Sequence, residues 1–125
     1  MIAADTSSFI AYLQGELSED ATALADAIRD STLILPPVVA TELLADESSD
    51  AKLRRVLQRI PFLELKEDYW LRAGRTRGLL FRKGFKARLG DALVAQACID
   101  HDIPLIARDR DFRHFVKHCG LKLAV

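Results

Sequence analysis

The sequence predicts an α/β domain with a mainly parallel sheet covered by helices on both faces. Three observations carry this reading. Short apolar runs bounded by turn or polar residues alternate with helical patterns along all 125 residues. Hydrophobic residues make up 50% of the chain, enough to bury one sizeable core in a single domain spanning residues 1–125. No internal repeat, low-complexity segment or linker breaks the alternation.

"MIAAD" reads as the first buried strand, and a helical pattern follows over 7–14. Ser18 is placed to cap a helix over 19–30, in which Asp20, Ala21, Leu24, Ala25 and Ile28 recur at helical spacing. "TLILPP" is the second strand. Pro36 and Pro37 then open a helix over 37–46, because the first helical position has no intrahelical use for the missing N–H. A helix over 50–60, the strand "FLEL" and a helix over 67–83 come next. In the helix over 91–101, Ala92, Ala95 and Ala97 permit close approach to the sheet. "PLIA" and the terminal "LKLAV" complete the strands. In such sheets ligands bind outside the carboxyl ends of the strands, near the point where strand order reverses.

Composition excludes several classes. No apolar run approaches the ~18–20 residues of a membrane span, and the first residues lack the basic start and apolar stretch of a secretory signal. A cytosolic, cytoplasmic protein with no membrane partner is expected. Cys98 and Cys119 belong to no CxxC pair, so buried, reduced thiols are expected rather than a disulfide framework or a four-thiolate zinc site. The net charge of zero hides an asymmetry: residues 1–50 hold ten acids and one base, whereas residues 51–90 hold twelve bases and three acids. Seven bases and no acid lie between Arg72 and Arg88. Clustered charge of this kind makes either a solvated helix face or a polyanion-binding surface.

The acids gather at one end of the predicted sheet. Asp5 closes the first strand, where a buried charge is costly unless something compensates for it. Glu42 shares a helix face with Val38 and Val39. Asp91 follows Gly90 at or just before a helix N-terminus, and Asp109 follows the strand "PLIA", with Asp111 two residues later. Taken singly, Asp91 is an N-cap, Asp109 and Asp111 are turn residues, and Glu42 pairs with a surface base. Their convergence in one crevice changes the reading. Several carboxylates at one site either take up protons or bind a cation, and an all-oxygen set suits Mg²⁺ or Mn²⁺. Such an ion activates water and polarises a phosphoryl oxygen. An acid centre with a basic rim that holds a polyanion points to a nuclease.

"MIAADTSSFIAYL", "LILPPVVATELL" and "GDALVAQACIDHDIPLIARDRDF" resemble the PIN-domain family, in particular the small VapC-type ribonuclease toxins of prokaryotic toxin–antitoxin pairs. The likeness runs along essentially the whole chain. It implies a PIN-like three-layer α/β/α domain with a five-stranded parallel sheet and a Mg²⁺- or Mn²⁺-dependent endoribonuclease that cuts RNA to 5′-phosphate and 3′-hydroxyl ends. It also implies a homodimer and a cognate antitoxin lying across the active site. Carried over position by position, the acids are Asp5, Glu42, Asp91 and Asp109. Asp5, Asp91 and Asp109 would bind the metal directly or through water, and Glu42 would help deprotonate the attacking water. Asp111 matches the second acid of the D-x-D-F ending, and Ser7 the small polar residue that orients the first acid. Ala107 departs from the pattern, standing where threonine or serine is common, which shifts that supporting role onto Ser7 or Thr6.

In "HFVKHC", His114 and His118 have the spacing of a metal-binding helix face beside Cys119, but no second ligand pair with zinc spacing accompanies them. Trp70, Phe81 and Phe85 interleave with the basic tract: core or dimer packing fits Trp70, while Phe81 and Phe85 could stack on bases or receive an antitoxin helix. Arg82, Lys83, Lys86 and Arg88 are the candidate RNA contacts. The alternative reading is a catalytically weak PIN-like module that binds RNA or antitoxin without turnover. A phosphate-accepting receiver domain fits poorly, because "DTSS" lacks adjacent acids and "LKLAV" does not supply its lysine after the last strand.

Overall fold

The computed structural model describes residues 1–46 and 50–125. In chain order the elements are β1 (Ala3–Ala4), α1 (Thr6–Leu13), α2 (Glu19–Arg29), α3 (Pro37–Ala45), α4 (Ala51–Arg59), α5 (Tyr69–Arg82), α6 (Leu89–His101), β2 (Leu105–Ile106) and α7 (Phe112–Cys119).

Local chemistry sets the helix ends. Asp5 caps α1 by accepting the Ser8 N–H at 2.8 Å, and Asp50 caps α4 by accepting the Leu53 N–H at 3.0 Å. Pro37 occupies the first turn of α3, as predicted. Ser18 stands at the N-cap of α2, yet its hydroxyl caps no backbone N–H and instead accepts from Arg108 Nη2 at 2.9 Å. Helix α6 starts two residues before the predicted 91, with Arg88 at its N-cap, so Asp91 sits inside the first turn rather than ahead of it. A carboxylate there is favoured by the helix dipole. Helix α7 was not among the predicted elements; Gly120, at φ 84°, ends it in the left-handed conformation that glycine adopts without strain.

The expected five-stranded sheet contracts. Among the described residues, β1 and β2 form a two-stranded parallel ladder in register Ala3–Leu105 and Ala4–Ile106. The segments "TLILPP", "FLEL" and "LKLAV" contribute only isolated parallel bridges, Ile2–Leu33, Leu35–Phe62 and Leu105–Leu123. Proline explains part of the contraction. Leu35 donates to the Pro61 carbonyl and accepts from Leu63, and Ile34 donates to the Ile2 carbonyl, all at 2.9 Å, but the next donors in line, Pro37 on the first side and Pro36 toward β1, have no N–H.

The order across the molecule is nevertheless readable. Phe62 lies beside Leu35, Leu33 beside Ile2, Ala3 beside Leu105, and Leu105 beside Leu123. The chain moves outward from β1 to Phe62, then returns to the other side of β1, which puts the reversal between β1 and β2. That is where a parallel sheet opens a crevice. Ala3, Ala4, Leu105 and Ile106 are all fully buried, and neighbouring residues of a strand point to opposite faces, so both faces of the ladder are covered. Phe9, Leu24, Val39, Leu80, Val94, Phe112 and Phe115 bring α1, α2, α3, α5, α6 and α7 into one apolar cluster around it. Each such side chain contributes about 1.5–3 kcal/mol.

Polar ties lock α5 to α6. Arg72 grips Asp100 through Nε at 3.1 Å and Nη2 at 2.6 Å, the Thr76 hydroxyl donates to Gln96 Oε1 at 2.5 Å, and the Tyr69 hydroxyl donates to the Leu93 carbonyl at 2.5 Å. Cys98 is a free, buried thiol, pushed up to about 12 by burial, and Cys119 is likewise free. Among the described residues no helix is long and apolar enough to cross a membrane.

Candidate metal centre

The crevice between β1 and β2 is lined by Asp5, Thr6, Ser7, Glu42, Arg88, Asp91 and Asp109. Each arrives for a local reason. Asp5 leaves the end of β1 and Asp109 follows β2 by three residues. Asp91 hangs from the first turn of α6, and Glu42 reaches over from α3. The cleft measures about 190 Å³. That is below the ~300–1,000 Å³ of small-molecule pockets and suits an ion with its waters.

Asp5 is almost wholly buried and nearly saturated. Its Oδ1 accepts the Ser8 N–H, and its Oδ2 accepts from Ser7 Oγ at 3.1 Å and from the Arg108 N–H at 3.3 Å. Ser7 thus holds one oxygen of Asp5. Thr6 serves a different acid, donating its hydroxyl to Glu42 Oε1 at 2.8 Å. The missing hydroxyl at Ala107 leaves no orphan on Asp5, because the next residue's backbone supplies a donor, and Ala107 packs against the apolar core.

Asp91 is the opposite case. Its Oδ2 is buried without a hydrogen-bond partner. Burial above all, then the charge of Asp109, pushes its carboxyl up to about 6; Arg88 opposes the shift, while Asp5 and Glu42 add to it. Among the described residues, one group of three metal-type side chains brings a ligand atom from each within 4.8 Å of the others: Asp91, Asp109 and Asp111. Asp5 lines the same cleft but lies outside that group, and Asp111 takes the third place. The Asp111 N–H donates to Asp109 Oδ1 at 2.9 Å, which ties the two acids together. All-oxygen donors with an unpartnered buried oxygen fit a hard divalent cation.

Gly90 was not among the candidate residues of the sequence, and only its place before Asp91 hinted at it. A methyl group there would stand 3.3 Å from Glu42 Oε2, so Gly90 lets Glu42 close on the cleft. Arg108 was also missed, although it stands between "PLIA" and Asp109; its guanidinium binds Glu16, Ser18 and Asp20.

Of the four candidate RNA contacts, Arg88 alone lines the cleft. Arg82 folds back over Gly78, and Lys83 and Lys86 are exposed on the α5–α6 connection. Two other bases of the tract are occupied, Arg72 by Asp100 and Arg77 by the Ala87 carbonyl at 2.6 Å. Trp70 is 65% exposed, which excludes the core reading. With Phe81 and Leu89 it borders an apolar groove of about 410 Å³ between α5 and α6. Phe85 stacks on His114 at 4.2 Å and on His118 at 5.2 Å. Those imidazoles serve as packing partners, and no three-ligand group with Cys119 exists among the described residues.

The family model of the PIN domain matches residues 2–117. Among solved structures, VapBC2 from Rickettsia felis bound to a DNA fragment from its promoter is similar, with a TM-score of 0.71 at 18% identity over 98% of this chain and 97% of that one. DNA-bound VapBC from Salmonella typhimurium gives 0.69 at 16% identity, covering 98% and 97%. FitAcB from Neisseria gonorrhoeae gives 0.63 at 17%, covering 98% and 96%. With acids at the strand ends, a parallel sheet that reverses between β1 and β2, and a family match over nearly its whole length, the chain belongs to the PIN domain family.

Proposed function

We propose that this chain is a Mg²⁺- or Mn²⁺-dependent endoribonuclease acting as one PIN unit over residues 1–125, the toxin of a type II toxin–antitoxin pair. The observation that carries the reading is the buried, unpartnered Asp91 Oδ2 in a cleft shared with Asp109, Asp5 and Glu42, with an Asp111 carboxylate oxygen within 4.8 Å of those of Asp91 and Asp109. Asp91 and Asp109, joined by Asp111 and with Asp5 at their side, would hold the ion. When bound, the ion supplies Lewis-acid activation of water and charge stabilisation at phosphorus. Glu42 has one oxygen engaged by Thr6 and the other beside Gly90, so the second is available to accept a proton from the attacking water. Arg88 offers its charge to the scissile phosphate, and Arg82, Lys83 and Lys86 to its neighbours.

A homodimer and a cognate antitoxin belong to the same proposal. The exposed Trp70, Phe81 and Leu89 along the α5–α6 groove give apolar surface for such partners to bury. The assemblies of the structural neighbours support a protein partner.

Purified protein should cut RNA with Mg²⁺ or Mn²⁺. Asp5→Asn and Asp91→Asn should abolish cutting while circular dichroism shows both folded. Parental rates in both variants would overturn the site. Protection of bound RNA without new ends, with metal present, would favour the binding-only alternative. Sequencing RNA termini after brief expression, against an Asp5→Asn control, would name the target.

A further inference from the structure

We propose that Arg108 is a positioning residue for the metal cleft: its guanidinium clamps the loop after β2 to the α1–α2 turn, which holds its own N–H on Asp5 and sets Asp109 and Asp111 opposite Asp91. The metal part of this inference rests on the function proposed above.

The Arg108 guanidinium makes four side-chain hydrogen bonds. Its Nε and Nη2 grip Asp20 bidentately at 2.8 and 3.0 Å, Nη2 also donates to Ser18 Oγ at 2.9 Å, and Nη1 donates to Glu16 Oε2 at 2.9 Å. Asp20 is buried, and Arg108 holds its carboxyl well below the usual carboxylate range, so the clamp is charged at any working pH. Planar bidentate pairs of this kind fix orientation as well as distance.

The backbone of the same residue carries the effect to the site. The Arg108 N–H reaches Asp5 Oδ2 at 3.3 Å, while the Asp5 N–H donates to the Ile106 carbonyl at 3.0 Å, so β1 and the β2 exit are tied from both sides. Asp109 is the next residue, and its Oδ1 takes the Asp111 N–H at 2.9 Å. Two acids of the cleft, Asp5 and Asp109, and the neighbouring Asp111 thus depend on where residue 108 sits. None of the guanidinium's partners lines the cleft. Its action is therefore indirect, through geometry.

The structure supplies a matched control. Arg72 grips Asp100 in the same bidentate manner, with similar exposure (32% and 8% for that pair, 37% and 11% for Arg108 and Asp20), between helices α5 and α6. Its loss removes a comparable ion pair and leaves the cleft untouched.

The experiment measures Mn²⁺ affinity and amide hydrogen exchange in the full chain for the parent, Arg108→Met, Arg108→Lys, Asp20→Asn and Arg72→Met. Loss of an outer-shell support typically lowers metal affinity by ~10–100-fold, and that loss is expected for Arg108→Met. Arg108→Lys, which keeps the charge without the fork, should recover part of it. In metal-free protein, residues 5–8 and 107–111 should exchange faster in Arg108→Met and not in Arg72→Met. Asp20→Asn loosens the same clamp from its other end and serves if Arg108→Met fails to fold. Mn²⁺ affinity within twofold of the parent in Arg108→Met and Asp20→Asn, or an equal loss in Arg72→Met, would overturn the proposal. A parent that binds no Mn²⁺ would instead sink the proposed metal chemistry, while the exchange measurement still decides whether the clamp exists.

Discussion

Asp91→Asn is expected to stabilise the metal-free protein at neutral pH and to erase its thermal response to divalent ions. Burial, followed by Asp109, pushes the Asp91 carboxyl from an ordinary 3.8 up to about 6. At 1.36 kcal/mol per pH unit this corresponds to ~3 kcal/mol of penalty for the ionised form in the folded state. Asp91 is only partly buried, so solvent screening leaves roughly half, ~1.5 kcal/mol. The sign follows from proton counting. Between about pH 4 and 6 the folded protein binds more protons at this site than the unfolded chain, so this group's contribution to stability falls as pH rises through that window and is level above it. Thermal melts in EDTA at pH 7.5 should therefore place Asp91→Asn roughly 5 °C above the parent. The gap should close toward pH 4, and Mn²⁺ should raise the parent's midpoint but not the variant's. Asp20 and Asp100, whose carboxyls are shifted downward by Arg108 and against burial by Arg72, cancel in the parent–variant difference. A variant melting at or below the parent in EDTA at pH 7.5 would refute the claim that this carboxylate is held at a cost.

The other perturbations separate packing from charge. Gly90→Ala adds a methyl 3.3 Å from Glu42 Oε2 while improving helix propensity, so the melting temperature should hold or rise slightly as RNA cleavage falls roughly tenfold; unchanged cleavage kinetics would remove Glu42 from the mechanism. Lys83→Gln and Lys86→Gln should each lower the salt slope of single-stranded RNA binding by ~0.7, measured by filter binding across a salt series; an unaltered slope would take that lysine out of the RNA path.

The helices and the acids were legible because both depend on short-range or chain-order information. Helical periodicity and the prolines before α3 act within a few residues, and an acid after an apolar run marks a strand's carboxyl end wherever parallel strands form. Helix α7 does carry a helical stripe, Phe112, Phe115, Val116 and Cys119 at i, i+3, i+4 and i+7, but its eight residues fall short of the ~11–18 over which periodicity separates a helix from a loop. The length of the sheet was overestimated because apolar runs report burial, whereas a ladder also needs successive N–H donors, which Pro36 and Pro37 interrupt. Arg108 was invisible for a different reason. Its partner Asp20 lies 88 residues away, and nothing in "RDRDF" says which acid an arginine will meet. Asp111 was read as support for the acids, yet its carboxylate lies in the tightest acid group, a matter of side-chain direction that spacing does not encode.

Asp5 and Asp91 look equivalent as sequence, but their lone pairs are not equally committed. A carboxylate offers about four acceptor positions, and Asp5 has filled three with Ser8, Ser7 and Arg108 donors, whereas Asp91 Oδ2 has filled none. The same substitution should therefore act on stability with opposite signs. In Asp5→Asn the amide oxygen still caps Ser8 and the Ser7 hydroxyl can rotate to accept, but the NH₂ group faces the Arg108 N–H, donor against donor. A buried N–H left unpaired costs ~1–3 kcal/mol, only partly offset by relief of repulsion with Asp91. Urea unfolding in EDTA at pH 7.5 should place Asp5→Asn about 1 kcal/mol below the parent and Asp91→Asn above it. Equal stabilisation in both variants would mean that Asp5 is held no better than Asp91, and that its surrounding donors contribute nothing to the fold.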